Sequence, residues 1–161
     1  MKNINYIYGK TKDGKPITLD GFRVEAFTEY KNEEGDYCMD IYFKSGNSVS
    51  VYGDSEDGCD ISEALDDCFD EVKRNPSLLL EPHPAEIIYC KTADGKWFTF
   101  DGNAVEFHVS FDDEDGKSYV ELHFASGRVI VVLMDLDEDI YPGDDVETLV
   151  DSCICRYLND K

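Results

Sequence analysis

The chain repeats itself once, and this repeat limits the possible fold more than any other feature of its 161 residues. Residues 8–53 match residues 89–134 at 17 of 46 aligned positions without a gap. Turn residues recur at the same spacing in both copies, as in the Asp20-Gly21 and Asp101-Gly102 pairs. A period of roughly 80 residues gives each copy the length of a whole folding unit, whereas solenoid repeats are shorter. The sequence therefore predicts a tandem duplication of one fold.

Alternating apolar residues predict antiparallel strands in each copy. The strands expected in the first copy are 4–9, 16–20, 22–31, 37–44 and 48–53. The second copy has the clearer pattern, because apolar residues fill every other position from Val105 to Phe111 and from Val120 to Phe124. Short turns that contain glycine join these strands. The pattern is typical of an antiparallel β-meander of four to five strands.

One amphipathic helix is expected after the strands of each copy. In the first copy the apolar stripe consists of Ile61, Leu65, Cys68, Phe69 and Val72. Asp60 and Glu63 fit a capping box at its start, and Pro76 ends it. We expect each C-terminal helix to pack on its own sheet. The predicted fold class is therefore α+β.

The predicted domain boundaries follow from the repeat and from a proline-rich segment between the copies. The first ββββα repeat covers 1–75, the linker covers 76–85, and the second repeat covers 86–161. We expect Leu78, Leu79 and Leu80 of the linker to pack against one of the two repeats.

The net charge is the second informative feature. The chain has 36 acidic and 15 basic residues, which gives a formal charge of −21. Such a surface repels nucleic acid and anionic membranes and attracts basic partners. Direct nucleic-acid binding and membrane binding are therefore not expected.

The acidic residues concentrate in loops that a meander brings to one end of its sheet. Successive turns of a meander alternate between the two ends, so the first turn and the loop before the helix share an end. This placement predicts a partner-binding surface in each repeat. Its residues are Glu33, Glu34, Asp36, Asp54, Glu56, Asp57, Asp112, Asp113, Glu114, Asp115, Asp135, Asp137, Glu138 and Asp139.

Three interpretations of these acidic loops remain open. They are ordinary solvated loops, or they bind calcium, or they bind a basic protein. Asp135, Asp137 and Asp139 have the spacing that begins an EF-hand loop, but Ile140 and Val146 replace its required Gly and Glu. Metal and cofactor are therefore not expected here.

The third interpretation is favoured, because a line of carboxylates can imitate a line of phosphates. We expect a nucleic-acid mimic that inhibits a DNA- or RNA-handling enzyme by occupying its basic surface. In composition alone, the chain is similar to the small acidic inhibitors of phages and mobile elements, the antirestriction and anti-CRISPR proteins. The alternatives are an immunity protein that neutralises a toxin and a calcium- or metal-binding domain.

Catalysis is not expected, because the sequence contains no GxSxG, P-loop, GxGxxG or HExxH motif. One weaker possibility is a quartet of Glu106, His108, Glu121 and His123. If Phe111 pairs with Ser118, His108 lies opposite Glu121 and Glu106 lies opposite His123 on one polar face. Such a set could hold a transition metal, although solvated cross-strand pairs are common. His83, between two prolines, is expected to be exposed.

The expected location is the cytoplasm. The N-terminal sequence MKNINYIYGK has no apolar segment typical of a signal peptide, and no run of about 18 apolar residues is present. Without a secretion signal, the six cysteines are expected to be reduced.

Overall fold

The computed structural model of the protein describes residues 5–54, 60–79 and 85–155. The first repeat consists of β1 (Tyr6–Lys10), β2 (Pro16–Asp20), β3 (Val24–Lys31), β4 (Tyr37–Phe43), β5 (Ser48–Tyr52) and helix α1 (Ile61–Arg74). The second consists of β6 (Ile87–Lys91), β7 (Trp97–Asp101), β8 (Val105–Asp112), β9 (Ser118–Phe124), β10 (Val129–Leu133) and helix α2 (Val146–Ile154). The α+β class and the C-terminal helix are confirmed.

Three sheets divide these strands, and every paired strand is antiparallel. The largest sheet has the order β1-β2-β8-β9-β10, so it combines the first repeat's hairpin with the second repeat's meander. Strands β3-β4-β5 form a second sheet, and β6-β7 form a separate hairpin. Because β2 pairs with β8, the two repeats share a continuous sheet.

Two apolar cores lie on opposite sides of strand β8. The first core contains buried residues of β1–β5 and α1, and it also takes Phe107 and Val109 from β8. Phe107 stacks on Phe43 with ring centroids 4.9 Å apart. The second core consists of residues of the second repeat, including Val105, with Tyr6 packed at its edge. The repeats are therefore interlocked through β8.

A register shift between Val105 and Phe107 explains why β8 contributes side chains to both cores. Sequence alternation predicted that Val105 and Phe107 would share a face. Instead Val105 packs in the second core and Phe107 in the first. The irregularity turns the strand, which alternation alone does not reveal.

Helix α1 begins and ends close to its predicted positions. Helix α1 buries Ile61, Leu65 and Cys68. The predicted capping box is wrong, because the carboxyl of Asp60 makes no cap hydrogen bond. In α2, Asp145 does cap the helix by accepting a hydrogen bond of 2.8 Å from the Thr148 N–H.

A glycine lies beneath each helix, in the short 3₁₀ turn that follows the hairpin. A Cβ atom on Gly21 would lie 2.5 Å from Cys68 Sγ, and one on Gly102 would lie 2.5 Å from Cys153 Sγ. Only glycine allows helix and turn to approach this closely. The recurrence of this glycine–cysteine contact shows that each helix packs on its own repeat in the same way.

Helix α2 contacts both repeats. It packs against β6 of its own repeat and also against β2 of the first repeat. The predicted packing of α2 on its own repeat is present, and the shared sheet also brings the first hairpin beneath this helix.

Several predictions fall on residues outside the described part of the chain. They concern Glu56, Asp57, Leu80 and His83, and the side chains of Leu78 and Leu79 likewise lie outside what the structure describes. Within the described residues, no helix is long and apolar enough to cross a membrane.

Candidate functional site

The strand register places the acidic loops of the first repeat at one end of its three-stranded sheet. Lys31 pairs with Tyr37, so the turn 32–36 lies where β3 and β4 meet. Cys38 pairs with Tyr52, so Asp54 leaves β5 at that same end. The geometry predicted from a meander is therefore present in this repeat.

The second repeat has the same arrangement. Asp112 pairs with Ser118, which places the turn 113–117 at one end of the five-stranded sheet. Tyr119 pairs with Leu133, so the loop that begins after β10 leaves from that end. We call these two turns and the adjoining loop carboxylates the acidic rim. Its described members are Glu33, Glu34, Asp36, Asp54, Asp112, Asp113, Glu114, Asp115, Asp135, Asp137, Glu138 and Asp139.

The β1–β2 turn connects the two halves of the acidic rim. Lys12 Nζ donates a hydrogen bond of 2.6 Å to Tyr30 Oη, beside a surface depression that Glu33 and Glu34 also line. On the other side, Lys15 Nζ lies 4.9 Å from the centroid of the Phe111 ring, next to the second acidic turn. Both acidic turns therefore flank one short turn, on the same side of the molecule.

Most of the acidic rim is exposed and without a basic partner. Asp113 is half-buried, and the other described members are exposed. Among the described residues, no lysine, arginine or histidine lies in an ion pair with a rim carboxylate. Lys15 lies 3.5 Å from Asp13 instead, and Lys117 lies within the second acidic turn, where its charge helps to lower the pKa of Asp113. The rim therefore retains most of its negative charge.

Asp113 differs from its neighbours, because its carboxylate organises the turn. It accepts hydrogen bonds of 2.9 Å from the N–H groups of Asp115 and Lys117 and from the hydroxyl of Tyr119. These bonds, that from Lys117 above all, lower the pKa of Asp113. Asn32 makes the matching bonds in the first repeat, with the N–H groups of Glu34 and Asp36.

The loop after β10 also uses some of its carboxylates internally. Asp137 accepts a hydrogen bond of 2.8 Å from the Asp139 N–H, and Glu138 accepts one of 3.3 Å from the Gly143 N–H. Among described residues, Asp135, Asp137 and Asp139 do not bring ligand oxygens together as a metal site requires. The EF-hand spacing therefore does not produce an EF-hand geometry here.

The strand register on which the possible quartet of Glu106, His108, Glu121 and His123 depended is wrong. Phe111 pairs with Tyr119 rather than with Ser118, because the turn 113–117 contains one more residue than the prediction allowed. The shift sends the two histidines to opposite faces of the sheet.

Glu106 and His108 have partners outside that quartet, whereas His123 and Glu121 lie together. Glu106 accepts hydrogen bonds of 2.8 Å from the side chains of Ser45 and Asn47, which join the repeats. His123 stacks on Phe107 and lies 2.5 Å from Glu121. That last pair borders an open cleft of about 390 Å³ between the repeats.

Sequence reasoning missed a cluster around the buried His108, whose carboxylate members are half-buried. Its Nε2 atom lies 2.7 Å from Asp151 Oδ1, and Tyr6 Oη donates a hydrogen bond of 3.2 Å to Asp151 Oδ2. Ligand atoms of His108, Glu147 and Asp151 all lie within 4.8 Å of one another. The spacing of four residues between Glu147 and Asp151 was a visible signal, but only the β2–β8 pairing brings Tyr6 to them.

Burial raises the pKa of two groups at this cluster, Glu147 and Tyr6. It raises the pKa of Glu147, an effect that His108 opposes and Asp151 reinforces. Burial and the nearby Asp151 carboxylate raise the pKa of Tyr6, so its hydroxyl remains a donor. Burial therefore favours the neutral forms of Tyr6 and Glu147.

The donor set of one histidine and two carboxylates is typical of transition-metal sites. A histidine that binds metal usually donates its other ring N–H to an acceptor. Here Nδ1 of His108 is buried and has no hydrogen-bond partner in the described structure. The residues therefore fit a hydrogen-bonded packing cluster better than a metal centre.

The sequence matches no model of a known protein family, and no curated protein matches it. The functional conclusion therefore rests on the geometry and charge of the chain itself.

Proposed function

We propose that the protein is a non-catalytic binding protein whose acidic rim occupies a basic surface of a nucleic-acid-handling enzyme. The observation that carries this proposal is the placement of both acidic turns on one side of the molecule, flanking the turn of Lys12 and Lys15. The rim carboxylates there have no basic partner among the described residues.

Charge repulsion supports a binding role for such a surface. Two carboxylates about 6 Å apart in water repel by roughly 0.7 kcal/mol before salt screening. Several of them in two adjacent turns therefore reduce stability, and a basic partner removes that penalty on binding. The same partner releases the counterions that it would release on binding DNA.

The inferred partner presents lysine and arginine side chains that otherwise contact phosphates. Occupation of that surface would exclude nucleic acid by direct competition. A toxin with a basic surface is the alternative partner, in which case the protein acts as an immunity protein. The identity of a captured partner separates these two roles.

The test is capture of a partner from host lysate at about 50 mM and about 500 mM salt, followed by calorimetry with the purified partner. We expect salt-sensitive binding and displacement by double-stranded DNA. The rim variant Glu114→Gln/Asp115→Asn should weaken binding about five- to tenfold, because two exposed charge contacts are lost. Both residues are exposed, and neither side chain organises the turn as Asp113 does.

The matched control is Asp66→Asn/Asp70→Asn, which removes two exposed charges from α1. It changes the net charge equally but leaves the acidic rim intact, so affinity should stay within about twofold of wild type. Binding that resists both high salt and the rim variant would contradict the proposal.

A further inference from the structure

The contact that joins the two repeats is made once, although a duplicated chain has the surfaces to make it twice. Hairpin β1–β2 of the first repeat pairs through β2 with β8 of the second. The equivalent pair is β7 of the second repeat with β3 of the first. Within the described residues, β7 pairs only with β6, and β3 pairs only with β4. Strands β3 and β7 are therefore both edge strands.

We propose that β7 of one molecule pairs with β3 of a second copy of this chain, in the register of β2 with β8. Within the chain, Ile17 lies opposite Val109 and Leu19 opposite Phe107. Moving these pairs to the equivalent positions places Phe98 opposite Thr28 and Phe100 opposite Ala26. The proposal therefore names a second copy of the chain as the partner and gives the register of the β7–β3 pair.

The burial of the two equivalent strands supports the proposal. Phe107 and Val109 of β8 are buried against the first repeat, whereas their counterparts on β3, Ala26 and Thr28, are exposed. This face of the strand is therefore buried on β8 of the second repeat and exposed on β3 of the first repeat. An open sheet edge offers free N–H and C=O groups to another strand.

The outer face of the second hairpin is open as well. Helix α2 covers the outer face of the first hairpin, where Tyr6 Oη bonds Asp151. On the second hairpin the corresponding face exposes 46% of Ile87, 46% of Tyr89 and 59% of Trp97. Helix α1 is the counterpart of α2 in the other repeat. In the proposed contact, α1 of the second copy would therefore cover these side chains, as α2 covers the first hairpin.

Charge also matches across the proposed contact. The second hairpin exposes Lys91 and Lys96. The receiving surface, on β3 and α1, exposes the carboxylates Glu25, Glu29, Glu63 and Asp67. Continuing the alignment by one residue places Trp97 opposite Glu29, so a charge introduced at Trp97 reports directly on the pairing.

The overall charge of −21 opposes association of two copies at low salt. Added salt screens this repulsion and should strengthen the pairing. Salt has the opposite effect on binding of the acidic rim to a basic partner. The two proposals therefore fail or succeed independently.

The experiment is sedimentation velocity of the full chain at about 50 mM and about 500 mM salt, over a wide concentration range. We expect species heavier than the 18.3 kDa monomer, with a fraction that rises with concentration and with salt. The contact is head-to-tail, so repeated use gives a closed ring or a longer assembly.

Two pairs of variants locate the contact. Thr28→Lys places a charge at the open β3 edge and should abolish association, whereas Val129→Lys, on exposed β10, should not. Trp97→Glu should weaken association about tenfold more than Trp97→Lys, because only the glutamate would face Glu29 with like charge. Circular dichroism checks that each variant is folded.

A single 18.3 kDa species at every concentration and both salt levels would overturn the proposal. Association that Thr28→Lys and Trp97→Glu leave unchanged would also overturn it, since another surface would then be responsible.

Discussion

Thr18 lies directly opposite His108 in the antiparallel pair β2–β8, and both side chains are fully buried. The two residues come from different repeats, so the core of each repeat depends on the other. Duplication usually suggests two units that fold separately, and the position of this pair argues against that independence.

Separation of the repeats should therefore prevent folding. A fragment of residues 85–161 would expose Phe107 and Val109, which are buried against the first repeat in the intact chain. We expect no cooperative thermal transition by circular dichroism for this fragment. Addition of a fragment of residues 1–79 should restore it, and cooperative unfolding of the isolated fragment would contradict the prediction.

Replacement of Asp151 by alanine should destabilise the protein. His108 Nε2 would lose its 2.7 Å partner while remaining buried, and Tyr6 Oη would lose its acceptor. We expect a loss of about 1–3 kcal/mol in the free energy of unfolding, measured with urea. Asp67→Ala is the matched control, because Asp67 occupies the equivalent but exposed position on α1. Its effect should be within about 0.5 kcal/mol.

The turn at Asp113 should make stability depend on acid pH. Hydrogen bonds lower the pKa of Asp113 below its ordinary value of 3.8. The carboxylate's contribution is therefore complete above pH 3.8 and is lost as pH falls through the lower folded pKa. Asp113→Asn should keep the turn, as Asn32 does in the first repeat, and reduce the loss of stability below about pH 4. Urea unfolding of wild type and of Asp113→Asn across this pH range measures the two acid dependences. If they are the same, Asp113 does not contribute to the loss of stability in acid.

Gly21→Ala should destabilise the protein by about 1–3 kcal/mol through overpacking. The new Cβ atom would lie 2.5 Å from Cys68 Sγ and 2.9 Å from Ile7 Cδ1. Cys68→Ala makes room for it, so the double variant should lose less stability than the sum of the two single variants. Additive effects in a double-mutant cycle would show that the two residues do not interact in this way.

Much of the local structure was readable from the sequence. Strand and helix positions followed from alternating and helical apolar patterns, which depend on neighbouring residues only. The glycine turns recur because the same backbone conformation recurs in each copy. The acidic loops could be placed at one end of each meander, since strand order and direction decide which turns share an end.

The cluster around His108 could not be read in the same way. His108 and Asp151 lie 43 residues apart, and Tyr6 lies in the other repeat. Their meeting depends on the pairing of β2 with β8, which no local pattern encodes. The register error at Phe111 had a different and local cause, because one additional residue in the turn moved every cross-strand partner.

The sequence by itself determined a duplicated α+β chain with its negative charge concentrated in turns, because composition and spacing are properties of neighbouring residues. Only the tertiary structure decided that the first hairpin joins the second meander, leaving β3 and β7 as open edges. That choice depends on which apolar surfaces bury each other best, and two similar repeats offer more than one such pairing.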